Sequence, residues 1–298
     1  MKILRATHLG MCFGVRDAIT LARETARRES VTVLGQLVHN ESVLASLRRD
    51  GVRFADAPTA VHTQSILITA HGASDRKLKA AAATGCRVIE ATCPLVHHAH
   101  RELRMLLAAG YHPVIIGQRG HVEVNGLTED LAECDLVLAE SDIEEMVERK
   151  KFGVVAQTTQ PVERVHRLTA LIRRRFPQAE VLLRDTVCRP TKERQEAAVE
   201  LARRCDVVVV IGGANSNNTR ELVATCRKHC TRVFHIQTAA DLVAGWFEAG
   251  DTVGLTAGTS TPDWIIEEVA RGLQSLAEAV PEARPATRVI PNTQPLPV

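Results

Sequence analysis

Short runs of β-branched residues alternate along this chain with charged segments whose apolar positions recur at helical spacing. "VTVLGQ", "SILITAHG", "HPVIIGQ", "KFGVVAQT", "CDVVVVIGG" and "DTVGLTAG" are each continuously apolar up to a small or polar turn. A strand wetted on one face alternates apolar with polar. An unbroken apolar run suits a strand covered by helices on both faces, and therefore a parallel sheet. The pattern predicts an α/β fold.

A second, longer period runs through the first. Three cysteines stand just before helix-like segments, in "GMCFGVRDA", "EATCPLVHH" and "DTVCRPTKE". Each is followed by a strand that ends in glycine, at Gly35, Gly117 and Gly212. The intervals from Cys12, Cys93 and Cys188 to those glycines are 23, 24 and 24 residues. Four residues beyond the glycines lie His39, His121 and Ser216, and six beyond lie Glu41, Glu123 and Asn218. A third set of strand-to-helix turns follows, "LITAHGAS", "VAQTTQPV" and "LTAGTSTP". Near-constant order and spacing mark an internal repeat. It predicts three similar α/β modules around a pseudo-threefold axis, over residues 1–93, 94–188 and 189–278. The closing segment 279–298 holds five of the twelve prolines and is expected as an extended tail.

Composition narrows the partners. With 298 residues and 45% hydrophobic content the chain can build a substantial core. A net charge of +2 gives no signal for polyanion binding, and 3% aromatic content is too little for nucleic-acid stacking platforms. No apolar run approaches the roughly 20 residues of a membrane span, and the amino terminus lacks the apolar stretch of a signal peptide. The expected setting is the cytoplasm, where the eight cysteines would be thiols or metal ligands rather than disulfides.

In open parallel α/β sheets, ligands collect at the carboxyl ends of the strands. Every polar residue of the repeat stands at such an end. Three modules around one axis would bring Cys12, Cys93 and Cys188 together. Structural zinc usually takes four ligands from close pairs. Three isolated thiolates suit an iron–sulfur cluster better. A 4Fe–4S cluster on three thiolates keeps one iron without protein sulfur, free to bind a substrate oxygen. Around it, His39 and His71 can carry positive charge and donate to an anion. Ser216, Asn218, Ser260 and the turns "IGGANSNN" and "AGTSTP" are expected as neutral donors, a set suited to a small diphosphate or carboxylate. Glu123, a carboxylate among donors, is expected to deliver a proton. Cys134 and Cys205 read as core fillers, "CRKHC" (226–230) and "HHAH" (97–100) as helix packing, and the basic clusters 148–151 and 173–175 as solvated faces.

On these residues the chain resembles the 4-hydroxy-3-methylbut-2-enyl diphosphate reductases over about residues 3–275. The motifs are "GMCFGV", "LVHN", "AHG", "ATCPLV", "GHVEVNG", "QTT", "KERQ" after Cys188, "NSNNT" and "TAGTSTP". The resemblance implies a trefoil with a central 4Fe–4S cluster on Cys12, Cys93 and Cys188. It implies a diphosphate site from His39, His71, His121, Thr158, Ser216, Asn217, Asn218 and Ser260, and a proton relay through Glu123 and Thr158. It also implies reduced ferredoxin or flavodoxin as electron donor. Two positions depart from the family pattern. Asn217 stands where a serine is usual, and Val122 where proline is frequent. Two other readings share the three-cysteine repeat: a dehydratase like quinolinate synthase, and an iron–sulfur sensor without turnover.

Overall fold

A computed structural model describes residues 1–279, so the proline-rich tail expected at 279–298 lies almost wholly outside the described residues. The described chain forms three four-stranded sheets, every strand pairing parallel to its neighbours.

The chain starts with β1 (Lys2–Arg5) and α1 (Phe13–Arg28). The first sheet then follows from β2 (Val31–Leu34), α2 (Glu41–Arg49), β3 (Arg53–Ala55), β4 (Ser65–Ile68), α3 (Asp75–Ala82) and β5 (Arg87–Glu90), in strand order β3-β2-β4-β5. Next come α4 (Pro94–Ala108), β6 (His112–Ile116), α5 (Val122–Thr128), β7 (Asp135–Val137), α6 (Glu140–Glu144), β8 (Lys151–Ala156), α7 (Val162–Arg175) and β9 (Glu180–Leu183). Their sheet has the order β7-β6-β8-β9. The last part is α8 (Arg189–Ala202), β10 (Val207–Ile211), α9 (Asn217–Arg227), β11 (Arg232–Ile236), β12 (Thr252–Ala257) and α10 (Asp263–Ala279).

The third sheet runs β11-β10-β12-β1. Its fourth strand comes from the other end of the chain, with Lys2 to Arg5 in register with Thr252 to Leu255. The expected first module, 1–93, therefore begins inside the third sheet. Strand β1 occupies the place that β5 and β9 hold in the other two sheets. Each repeat cysteine thus lies between the last strand of one sheet and the first helix of the next. Backbone pairing at β1 closes the ring, a long-range event that no local pattern announces.

Continuous apolar runs are explained by two-sided burial. Along β10, Val207, Val209 and Ile211 face Ile265, Val269 and Leu273 of α10. Val208 and Val210 face Ala198 and Leu201 of α8 and Leu222 of α9. All five strand residues are fully buried. Each contributes roughly 1.5–3 kcal/mol of transfer free energy by area alone. In β6, Val114 and Ile116 meet Leu168 and Ile172 of α7, while Ile115 meets Leu103 and Leu106 of α4. Cys226 and Cys230 pack in the α8–α9 core, with Cys205 against it, and Cys134 packs beside α5. The two cysteines of "CRKHC" are therefore core, while Arg227, Lys228 and His229 are exposed.

Candidate functional site

Each repeat cysteine caps the amino end of a helix: Cys12 of α1, Cys93 of α4 and Cys188 of α8. Proline in the first turn sets two of these starts, Pro94 and Pro190. The corners meet. A Cβ on Gly14, in the first turn of α1, would lie 2.5 Å from the Cys93 sulfur. Only glycine lets α1 approach that thiol so closely, which accounts for the Gly in "CFGV". Burial pushes the Cys188 thiol up to about 12, against the hydrogen bond its Sγ makes to Thr191 Oγ1 at 3.1 Å. Burial also raises Cys93, offset by the N–H groups of Leu95 and Val96. Negative charge on Cys12 raises both, so the three sulfurs feel one another.

The three thiols do not close on a single ion. Tetrahedral zinc at about 2.3 Å per bond brings sulfurs to about 3.8 Å. Among the described residues, the only His, Cys or carboxylate group whose ligand atoms all lie within 4.8 Å of one another is His39, His71 and His121. Three soft donors on separate helix starts, wider than one ion requires, fit a polynuclear cluster and not a closed zinc site.

Beside the thiols lies a carboxyl group. Glu123, in the first turn of α5, is 1% exposed. Its Oε1 accepts the Thr158 N–H at 2.6 Å, and its Oε2 accepts the Thr158 hydroxyl at 3.0 Å. Burial raises its pKa to about 7 despite those two bonds. Its charge in turn raises Cys93 and Cys188, which puts it within electrostatic reach of both.

The histidines form one cluster. His39 and His71 stack with ring centroids 4.4 Å apart, and His121 stands edge-on to both at 5.2 and 5.5 Å. The loop of the third module is pressed against them. A Cβ on Gly213 would sit 2.3 Å from the His39 carbonyl oxygen, and the Ser260 hydroxyl donates to that same carbonyl at 3.2 Å. Burial works against positive charge on His39 and His71 while no anion is bound. Burial lowers His39 and takes His71 well below the usual histidine range, while His121 falls to about 3. Without an anion the cluster is neutral, because protonated imidazoles would lose water and repel one another.

Hydrogen bonding assigns the tautomers. His121 Nδ1 accepts the Glu123 N–H, so its proton sits on Nε2. His39 Nδ1 faces Gln36 Oε1 at 3.2 Å and carries the proton there. This mixed set suits an anion that brings protons more than a metal that needs three lone pairs. Three buried side-chain nitrogens here have no partner: His39 Nε2, His71 Nε2 and Asn218 Nδ2. Such orphans are rare in folded proteins and mark a place for a ligand.

The remaining sequence candidates divide. Asn218 uses Oδ1 to accept the Thr259 N–H, leaving its NH₂ free. Ser216 caps α9 by accepting from the Thr219 N–H. Asn217 is turned to other work: its NH₂ donates to the Thr159 carbonyl and hydroxyl at 3.3 and 3.0 Å, tying the third module to the second. Sequence reasoning missed two residues. Arg194 is buried in α8 and grips the Gly10 carbonyl. Arg220 donates to Gln118 Oε1 across two modules, and its charge depresses His39 and His121. Arg194 had a detectable signal: it falls on the apolar stripe of α8 with Thr191, Ala198 and Leu201.

Fold and site together define a ring of three parallel α/β modules with a buried histidine cluster and three cysteines at helix starts. Residues 3–274 match the LytB protein family. A 4-hydroxy-3-methylbut-2-enyl diphosphate reductase of Trichlorobacter lovleyi is 37% identical over 93% of this chain and 99% of its own. The Aquifex aeolicus protein of the same name is 36% identical over 93% and 98%. Among solved structures, the Plasmodium falciparum (E)-1-hydroxy-2-methyl-but-2-enyl-4-diphosphate reductase superposes with a TM-score of 0.85 at 26% identity, over 91% and 87% of the two chains. A second, described as the terminal enzyme of the non-mevalonate pathway, gives a TM-score of 0.66 at 36% identity over 92% and 99%. The chain belongs to the LytB family of 4-hydroxy-3-methylbut-2-enyl diphosphate reductases.

Proposed function

We propose that this chain removes the hydroxyl of 4-hydroxy-3-methylbut-2-enyl diphosphate, using one 4Fe–4S cluster held by Cys12, Cys93 and Cys188. Two electrons and two protons enter; the allylic C–O bond breaks, a C–H bond forms, and water leaves with isopentenyl or dimethylallyl diphosphate. The carrying observation is the adjacency of the thiol corners, the buried Glu123–Thr158 pair and the unpaired nitrogens of the histidine cluster. When bound, the cluster supplies a Lewis-acidic iron and one-electron steps.

The chain's own residues do the rest. His39, His71, His121, Asn218, Ser216 and Ser260 receive the diphosphate, which partners the unpaired nitrogens. Remote binding energy then fixes the alcohol end over the thiol centre. Glu123 holds a proton near neutrality and passes it, with Thr158, to the departing oxygen, since hydroxide is a poor leaving group and water a good one. Thr158 also orients the carboxyl group by holding both of its oxygens. A reduced ferredoxin or flavodoxin, available in the cytoplasm, supplies the electrons.

An anaerobic assay of the reconstituted protein with the allylic diphosphate and a chemical reductant tests this reading. Stoichiometric reductant consumption with release of both products is expected. Conversion without net electron consumption would instead favour a dehydratase, and cluster binding without turnover would favour a sensor.

A further inference from the structure

Arg194 joins two of the cysteine corners through one guanidinium group. Its Nε and Nη2 both donate to the Gly10 carbonyl, at 2.9 and 2.7 Å. Its Nη1 donates to the Pro190 carbonyl at 2.9 Å. Gly10 lies two residues before Cys12, and Pro190 two residues after Cys188. The geometry at Gly10 demands glycine: φ is +75°, and a Cβ would meet Ile266 Cδ1 at 2.6 Å. The turn therefore aims its carbonyl at the arginine fork.

The charge of this side chain has no carboxylate to balance it. Among the described residues, no acidic oxygen lies within ion-pair distance of Arg194. Its neighbour Glu193 is turned to Arg189 at 2.6 Å and to His8 at 4.0 Å. A buried cation that keeps its charge needs nearby negative charge or dipoles aimed at it. Two carbonyl oxygens provide dipoles. The negative groups whose charge acts on it are Cys12, Cys188 and Glu193, and each pushes the Arg194 pKa up while burial pulls it down. The other cation that it feels is Arg16, on the first helix.

We propose that Arg194 is the fixed counter-charge of the thiolate centre and sets its reduction potential. This rests on the cluster assigned above. Three thiolates make that centre anionic, and each electron added makes it more so. A fixed positive charge bonded to the carbonyls two residues from Cys12 and Cys188 stabilises the more negative, reduced state, and so raises the potential. The same fork holds the corners of Cys12 and Cys188 at a set distance from one another. Arg194 is a positioning residue: it touches neither substrate nor the reacting atoms.

Charge and fork are separable by substitution. Arg194→Lys keeps the charge and loses the planar double grip on Gly10; Arg194→Gln loses both. The measurement is the midpoint potential of the reconstituted holoprotein, titrated anaerobically against redox dyes and followed by visible absorption. Iron and acid-labile sulfide are counted in the same samples. Arg194→Gln is expected to shift to a more negative potential, with Arg194→Lys close to wild type in potential but lower in melting temperature. Should Arg194→Gln retain no cluster, the lysine variant decides: a potential near that of the parent supports the proposal, and one shifted well below it overturns it. Wild-type potential in Arg194→Gln, with full iron, would overturn the proposal and leave the reductase reading standing. Absence of iron and sulfide from the wild-type protein would overturn that reading itself.

Discussion

Glu123 takes the backbone N–H of Thr158 on one carboxyl oxygen, at 2.6 Å, and the Thr158 hydroxyl on the other, at 3.0 Å. The two residues come from different strand ends, those of β6 and β8, which pair from His112–Phe152 to Ile116–Ala156. Strand pairing brings the start of α5 beside the turn after β8, and the two hydrogen bonds join them there. A carboxyl group held this way is oriented by Thr158, and burial raises its pKa to about 7.

Glu123→Gln keeps shape and hydrogen-bonding reach but has no proton to give. Turnover should fall by about 10²–10⁴, the usual worth of general acid catalysis, with little change in substrate affinity. Thr158→Val should slow turnover less, because water can take the place of a hydroxyl. Steady-state reduction of the allylic diphosphate, beside titration of binding through the visible spectrum, separates the two effects. Near-parental turnover by Glu123→Gln would assign the proton to another donor.

The same carboxyl group should leave a signature in the stability of the metal-free protein. Its folded pKa, about 7, exceeds the unfolded value of 4.5. The folded state thus binds more protons between these values. The stabilisation from this group is complete below pH 4.5 and is lost as the pH rises through about 7. His121 works in the opposite direction. Lowered from 6.5 to about 3, it favours the fold above pH 6.5 and costs stability as the pH falls toward 3. Measured from pH 4.5 to 8, the melting temperature of Glu123→Gln relative to the parent should rise as the pH passes through about 7, because only the parent loses the carboxyl contribution there. Identical pH profiles would show that Glu123 titrates normally.

A neutral histidine cluster has to gain protons when an anion arrives. Inorganic pyrophosphate should bind with net proton uptake near pH 7, read by calorimetry in buffers of different ionisation enthalpy. His39→Ala and His71→Ala should each reduce that uptake and weaken binding by about 1.5–3 kcal/mol, the worth of one charge-assisted hydrogen bond. Both should keep full iron content. Pyrophosphate binding with no proton exchange would mean that the imidazoles bind it unprotonated.

Replacing Cys12, Cys93 or Cys188 by serine should abolish cluster retention, whereas Cys134→Ser, in the α5 cluster, should not. Iron and sulfide analysis after anaerobic reconstitution decides this, and full occupancy in any of the first three variants would remove that residue from the ligand set.

Adjacent asparagines should behave differently. Asn218 presents a buried NH₂ without a partner, while Asn217 spends its own on Thr159. Asn218→Ala is expected to raise KM with little loss of melting temperature. Asn217→Ala is expected to lower the melting temperature by weakening the contact between modules, with a smaller change in KM. The reverse outcome would return Asn217 to the substrate site.

The sequence by itself determined the strand–turn–helix repeat, the three cysteine corners and the polar residues at the strand ends. Those features follow from local periodicity and from turn chemistry, which act over a few residues. The apolar run of β10 could be read directly because both its faces are buried. Tertiary structure alone decided what depends on distant neighbours. Strand β1 joins the third sheet because its partner, β12, arrives some 250 residues later. The histidines are neutral because the third module's loop closes over them, and burial, unlike spacing, is a property of the whole fold. Glu123 is an acid near neutrality for the same reason. Arg194 stands on the apolar stripe of α8, but its partner Gly10 comes from 184 residues earlier and reaches it only when the ring closes.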